Sequence, residues 1–440
     1  MMLRIAVVLS LFASSANAQD LLQVYRDAKG YDAPYAAARH ALSAGLEKLP
    51  QGRSLILPTL NLSANATLTD LESNSRNTAI SPSFERDFRS RGYSLSFSQP
   101  IYRKQNVLQY DQAEFQAKQA EAVFGQAGQD LIIRLAQAYF DALAAQDSLA
   151  FIGAQKTAIA EQLAQAKRNF EVGTATITDT HEAQARFDLS VAQEIAAQND
   201  LDSKRRALQQ ITGKEYAALK PLRAQVKLAA PNPANMQNWV EIGEKQSYPV
   251  LIQESTTEIA GLEAKRNTAG HYPTLDFVAT HGYTGQSGSS VSSAGSNQTT
   301  NTIGLQFALP LYAGGSLSSR EREAAANFDK AKQDLENARR STALTTRQSY
   351  LSVINGIAQV SALEQALVSS QSALDSNKLG YEVGVRINID VLNAQQQLFS
   401  TRRDLAVARY NTITSHLRLK AAAGTLREED LEEVNRALQP

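Results

Sequence analysis

The sequence predicts a mainly helical, internally duplicated chain in which each half carries one pair of membrane-length β-strands and one pair of very long helices. Three observations predict it: short motifs that return at a nearly constant offset, segments of strictly alternating polarity, and proline-free runs of about 65 residues, far beyond an ordinary globular helix.

Residues 1–18 have the form of a secretory signal. Arg4 follows the amino terminus, 5–12 is a short apolar stretch, and Ala16-Asn17-Ala18 is an A-x-A cleavage site. The apolar stretch is too short to anchor the chain in a bilayer. The expected mature chain, 19–440, leaves the cytoplasm. It holds no cysteine, which excludes thiol chemistry and a lipid anchor at the cleavage site; a chain of this size needs no disulfide staples. Lysine plus arginine balance aspartate plus glutamate at 44 each, so no net charge draws the chain to nucleic acid or to anionic lipid. Beyond the signal no run of 18 apolar residues is expected. The most apolar candidate, 131–149, is broken by Arg134, Gln137, Asp141, Gln146 and Asp147. A membrane-resident form of this chain must therefore cross on strands.

The duplication is read from motifs. Ala44-Gly45-Leu46-Glu47 returns as Ala260-Gly261-Leu262-Glu263, and Pro58-Thr59-Leu60 as Pro273-Thr274-Leu275. Pro100-Ile101-Tyr102 returns as Pro310-Leu311-Tyr312, and Phe170-Glu171-Val172-Gly173 as Tyr381-Glu382-Val383-Gly384. The offset stays within 210–216 residues. The first repeat is expected over 19–212 and the second over 249–424. Between them 213–248, with Pro221, Pro231 and Pro233, reads as a connecting region, and 425–440 as a carboxy-terminal helix and tail.

Strands are expected at 57–69 and 92–102 in the first repeat, and at 274–283 and 302–312 in the second. Leu60, Leu62, Ala64, Ala66 and Leu68 fall on one face, against Asn61, Ser63, Asn65 and Thr67 on the other. Tyr93, Leu95 and Phe97 oppose Ser94, Ser96 and Ser98, and Ile303, Leu305 and Phe307 oppose Gly304 and Gln306. In 274–283 the alternation is less clean, because Val278 and His281 sit on unexpected faces. Such stretches match the length of a tilted transmembrane strand. The intervening segments 70–92 and 284–301 are long and polar, like the extracellular loops of outer-membrane barrels. Four strands cannot close a barrel, whose smallest known forms have about eight. Open edges in lipid cost several kcal/mol per unpaired group, so several chains must close the barrel together.

The runs 103–170 and 316–380 contain no proline and are rich in alanine, glutamine, leucine, lysine and glutamate. At 1.5 Å per residue each makes a rod of roughly 100 Å. Returning rods at 177–212 and 390–424 lie antiparallel to them, with Gly173 and Gly384 at the turns. Seams such as Leu131, Leu135, Ala138, Ala142, Ala145 and Leu149 suit a coiled-coil wall. A stalk or filament protein of the envelope also uses such helices, but leaves the duplicated strands unexplained. A passive porin shares the strands, but has no use for the rods.

The segment Tyr381-Glu382-Val383-Gly384 through Asp390-Val391-Leu392-Asn393-Ala394, then Ala408-Arg409-Tyr410-Asn411 and Ala423-Gly424-Thr425-Leu426, resembles the carboxy-terminal signature of TolC-type outer-membrane efflux proteins. The run Phe170-Glu171-Val172-Gly173, Ile177-Thr178-Asp179 and Gln210-Ile211-Thr212-Gly213 resembles its first-copy counterpart. The resemblance implies a homotrimer with a twelve-stranded barrel, four strands from each protomer, continued by a long periplasmic α-helical barrel. It implies residence in the outer membrane among outer-membrane lipid, a periplasmic adaptor, and an inner-membrane RND pump or ABC transporter as the energised partner. The duct serves drug efflux or type I protein secretion. It has no active site, no cofactor and no nucleic-acid partner.

The resemblance also assigns positions. The family's periplasmic entrance is held shut by contacts matching Asp179, Tyr381 and Arg386 here, and the expectation is that Arg386 and Tyr381 hold Asp179 between neighbouring helical hairpins. Asp179 also follows Thr176 by three residues, which suits a capping box. The family's ring of aspartates matches Asp390 and Asn393, so a trimer presents three carboxylates in place of six, with weaker attraction for cations. The turns Val172-Gly173-Thr174 and Val383-Gly384-Val385 match the family's adaptor-docking tips; glycine there also serves as a helix C-cap. The histidines 40, 181, 271, 281 and 416 never fall at metal-ligand spacing, and no H-E-x-x-H, P-loop or G-x-S-x-G occurs.

Overall fold

The computed structural model describes residues 19–74, 76, 83–223, 226 and 228–439; the expected signal at 1–18 lies outside them. In chain order the elements are helices α1 (Leu21–Tyr31), α2 (Ala33–Leu46) and α3 (Lys48–Ser54), strands β1 (Thr59–Ser73) and β2 (Phe84–Tyr102), and the long helices α4 (Lys104–Glu171) and α5 (Ile177–Thr212). There follow α6 (Met236–Gln246), α7 (Tyr248–Thr268), β3 (Thr274–Gln286), β4 (Ser296–Ala308), α8 (Ser316–Glu382), α9 (Asn388–Ala422) and α10 (Glu428–Arg436). Two compact units result, one of Ala41–Ala122 with Ile252–Asn337, the other of Met1–His40, Val123–Leu251 and Ala338–Pro440.

The first of these units carries the sheet. It is antiparallel throughout, in the order β1-β2-β3-β4, so β1 and β4 are open edges. Leu62 stands opposite Leu95, Leu95 opposite His281, and His281 opposite Asn301, which places the apolar positions of all four strands on one face. That face is bare in the single chain: Leu62 is 71 % exposed, Ile303 76 % and Phe307 64 %. The irregular alternation in β3 is real. Val278 pairs with Ser98 and Gly304 on the polar face, and His281 joins Leu95 on the apolar one.

Several strand boundaries differ from expectation: β1 runs on to Ser73 rather than 69, β3 to Gln286 rather than 283, and β4 begins at Ser296 rather than 302. β2 begins at Phe84, so most of the loop expected at 70–92 is strand, with Asp70 opposite Asp87 and Glu72 opposite Glu85. Charged residues read as loop, yet the ladder is made by backbone groups, and exposed charged side chains do not interrupt it. β4 ends at Ala308 rather than 312, because Pro310 has no N–H for the ladder and Gly314 and Gly315 turn with φ of 62° and 80°. The equivalent Pro100 in β2 is absorbed by a register shift before Tyr102. At the foot of the sheet, Arg103 donates through Nε and Nη2 to the two carboxylate oxygens of the buried Asp276, at 2.7 and 2.5 Å.

In the other unit α1 lies in the main core. Its Leu21, Val24, Tyr25 and Ala28 pack with Leu135, Tyr139 and Phe140 of α4 and with Tyr410 and Leu417 of α9. Tyr410 stacks on Phe140 and donates to Asp147 at 2.6 Å. The stretch 213–248 is not all connection. α6 occupies its end at the same offset from α1 that separates Pro58 from Pro273, and Asn235 caps it as Asp20 caps α1. By length and composition α8 contains a window apolar enough to cross a membrane, where the sequence suggests none; 11 % of that window is buried. Within α8 the stretch 351–368 holds a single charged residue, Glu364.

Three carboxylates tie α1 down. Asp27 accepts from Lys214 and Tyr216, Glu428 from Lys29 and Tyr25, and Asp32 from both terminal nitrogens of Arg134 at 3.1 and 2.8 Å. Burial alone would raise Asp32, but the hydrogen bonds from Arg134 and from the Tyr35 amide outweigh it and hold its carboxyl below the usual range. A depressed carboxylate stabilises the fold above its unfolded pKa and loses that contribution as pH falls through the lower folded value. Asp32→Asn should therefore cost about 2 kcal/mol at neutral pH, a discounted value because Arg134 is partly exposed. In thermal melts followed by circular dichroism, the gap to the wild type should persist down to about pH 4 and close below it.

Candidate functional site

The turn between α4 and α5 and the turn between α8 and α9 are built alike, as the duplication requires. Gly173 and Gly384 adopt φ of 77° and 79°, the left-handed conformation that glycine enters without strain. Thr174 N–H donates to Asn169 O at 2.8 Å, and Val385 N–H to Gly380 O at 2.9 Å, so each turn closes on its preceding helix. The apolar residues beside them point into water: Val172 is 73 % exposed, Val383 65 % and Val385 75 %.

The helices leaving the two turns start differently. At α5, Thr176 and Asp179 form a complete capping box: the Thr176 hydroxyl accepts from the Asp179 amide, and the Asp179 carboxylate accepts from the Thr176 amide. At α9 the cap position is Ile387, which has no side-chain acceptor. Asp390, the counterpart of Asp179, instead lies 3.7 Å from Arg386 one turn back. Tyr381 accepts a hydrogen bond from Asn169 Nδ2 at 3.2 Å. Within one chain, then, neither Tyr381 nor Arg386 bonds Asp179, whose carboxylate caps its own helix.

The hairpins α4/α5 and α8/α9 meet through contacts that the sequence pattern does not single out. Arg186 of α5 donates to Asn393 Oδ1 at 3.0 Å and to Gln396 Oε1 at 2.7 Å on α9. The buried Asn388 accepts from Gln162 of α4 and donates to the Asp179 carbonyl. Ile159, Leu163, Ala166 and Ala183 of the first hairpin enclose Leu392 of the second. Asn393 is thus a partner of Arg186, and Asp390 has a cation beside it. Among the described residues no cluster of His, Cys, Asp and Glu could hold a metal ion.

The sequence profile of the outer membrane efflux protein family matches residues 24–214 and 257–425, which include both hairpins. The chain belongs to this family. It is 33 % identical over 436 residues to the outer membrane protein TolC of Vibrio cholerae, covering 99 % of this chain and 97 % of that one. It is 31 % identical over 432 residues to the proteases secretion protein PrtF of Dickeya chrysanthemi, covering 97 % and 93 %. Among solved structures, the outer membrane protein VceC of Vibrio cholerae superposes with a TM-score of 0.77 at 19 % identity, covering 92 % of this chain and 96 % of that one. Like the efflux proteins it resembles, the chain is an outer-membrane protein, and the family is one of channels. Its Arg186 stands seven residues after Asp179, on the same helical face, and that spacing was the available signal for a second contact at this end.

Proposed function

We propose that three copies of this chain form the outer-membrane exit duct of an envelope-spanning assembly that exports drugs and, by type I secretion, proteins. The observation that carries the reading is the open four-stranded sheet, whose apolar face and two edges have no partner in one chain. Three such sheets make a twelve-stranded barrel, and burial of each open edge against the next protomer satisfies its backbone groups. The nearly bare apolar window of α8 supports the same oligomer, because a neighbouring protomer's helices would cover it. Near full-length similarity to TolC and to PrtF supports both kinds of cargo.

At the periplasmic mouth, Asp179, Tyr381, Arg386, Asp390 and Asn393 form the resting gate, with Arg186 added as a clamp between the hairpins of one chain. Tyr381 and Arg386 reach the neighbouring hairpin in the trimer. The Asp390 ring keeps three carboxylates, each offset by its own Arg386, so its attraction for multivalent cations is weak. The exposed tips Val172-Gly173-Thr174 and Val383-Gly384-Val385 dock the periplasmic adaptor, which links the duct to an RND pump or ABC transporter. Deletion of the gene should sensitise the cell to several unrelated drugs and remove proteins from the culture medium, and plasmid-borne wild type should restore both. A deletion strain normal on both counts, in a background without a second duct, overturns the reading.

A further inference from the structure

We infer that the outward face of the sheet carries a binding site for the phosphate-bearing headgroup of an outer-leaflet lipid, built from Arg89, Arg91 and Asn297 over Gly285. The inference rests on the barrel reading for one point, that the apolar face meets lipid. Along β2 this face runs Phe97, Leu95, Tyr93 and then changes abruptly to Arg91 and Arg89, towards the loops and away from the helices. Tyr93 stacks with Tyr283 at 6.0 Å between ring centres, an aromatic step of the kind that marks a membrane interface. The arginines therefore stand one and two rungs beyond that step, where lipid headgroups begin. An arginine on the lipid face is strongly unfavourable at mid-membrane and tolerated at the interface, which fixes the same height independently.

The place is a groove and not a flat surface. A concavity of about 600 Å³ opens there, and its lining includes Ala66, Leu68, Arg89, Arg91, Gly285 and Asn297. Gly285 stands directly between Arg91 and Asn297 in the register. A Cβ on Gly285 would come within 3.0 Å of Asn297 Oδ1 and 3.1 Å of the Tyr283 hydroxyl, so a side chain would occupy the groove. Tyr283 donates to Asn297 Oδ1 at 3.0 Å, which leaves the amide nitrogen of Asn297 as a donor with no partner among the described residues. Neither guanidinium has a hydrogen-bond or ion-pair partner among the described residues, although both are exposed.

Two planar guanidiniums and an amide around a concavity suit a phosphate, which arginine binds through paired N–H donors. The apolar side chains Leu68 and Ala66 in the same wall suit the acyl region of the molecule that carries it, and this combination selects a lipid over a free anion. The next rung outward pairs Asp70 with Asp87, whose charges repel a phosphate and set the outer limit of the site. Basic pockets at a membrane surface recognise lipid headgroups by the same logic.

Native mass spectrometry of the full-length protein in detergent tests the site, with bisphosphorylated lipid A, its dephosphorylated form and inorganic phosphate as probes. Wild type should retain lipid A, and R89Q/R91Q should retain at least tenfold less, about 1.4 kcal/mol. The dephosphorylated lipid should bind wild type no better than it binds the double variant. Gly285→Leu keeps both arginines and fills the groove; it should lose the lipid as well. Equal retention by the double variant, full retention by Gly285→Leu, or displacement of the lipid by millimolar inorganic phosphate overturns the proposal. The spectra also report the oligomer: lost binding with an intact trimer bears on this site, whereas a wild type that is no trimer bears on the barrel.

Discussion

Replacing Arg186 by Ala together with Arg386 by Ser should raise the single-channel conductance of the duct several-fold in a planar bilayer. Each arginine restrains a different part of the α8/α9 hairpin. Arg186 ties Asn393 and Gln396 to α5, and Arg386 sits against Asp390 at the uncapped start of α9. The Arg386–Asp390 pair is largely exposed and contributes no more than about 1 kcal/mol on its own. The two charge-assisted hydrogen bonds of Arg186 are worth more, roughly 1.5–3 kcal/mol each before solvent exposure weakens them. Removing one restraint leaves the other, so the double variant should exceed the sum of the single ones if the contacts act as one lock. Asn393→Asp should act in the opposite sense, since a carboxylate facing Arg186 converts a hydrogen bond into an ion pair. A double variant with wild-type conductance would show that the contacts within one chain do not restrain the mouth. Block by trivalent cations, measured in the same recordings, should be weak in wild type and absent after Asp390→Asn.

The second large effect concerns the tips. Val385→Asp should reduce drug resistance to the level of the deletion strain while the protein still reaches the outer membrane as a trimer. Val385 is 75 % exposed, so the substitution removes no core contact. An apolar side chain held in water at a helix turn is an invitation to a partner, and a carboxylate there would have to be desolvated on docking. Gly384→Val attacks the same tip through the backbone. A β-branched residue at φ of 79° is strained by about 1–2 kcal/mol, which should reshape the turn. The matched pair Val172→Asp and Gly173→Val tests whether both tips dock. Drug resistance retained by all four variants would remove the tips from the adaptor interface.

Much of this architecture is legible in the sequence, for physical reasons that differ by element. The long helices are legible because alanine, leucine and glutamine continue for dozens of residues without proline, and the structure starts and stops α4 and α8 within two residues of the expected ends. The inner parts of the strands are legible because apolar and polar residues alternate along β1, β2 and β4, though less cleanly along β3. Their outer parts are not, because 84–91 is charged and looks like loop, although a ladder needs only backbone groups. α6 is hidden by the prolines that precede it. At the candidate gate the sequence shows which residues are present, but not which of two partners each prefers. Asp179 could cap Thr176 or meet Arg386, and in the single chain the local cap, closed over three residues, is made. Arg186 is missed because an arginine on a long helix reads as solvated surface until its contacts on the neighbouring helix are seen.

The unequal starts of α5 and α9 have a mechanical consequence. Thr176 and Asp179 secure the first turn of α5, a contribution of about 1 kcal/mol, while α9 begins at Ile387 with its leading amides unsecured by any side chain at the cap. The two hairpins share one plan but are not interchangeable parts. The start of α5 carries its own clamp, whereas the start of α9 is held by Arg386 and by its neighbours on the other hairpin.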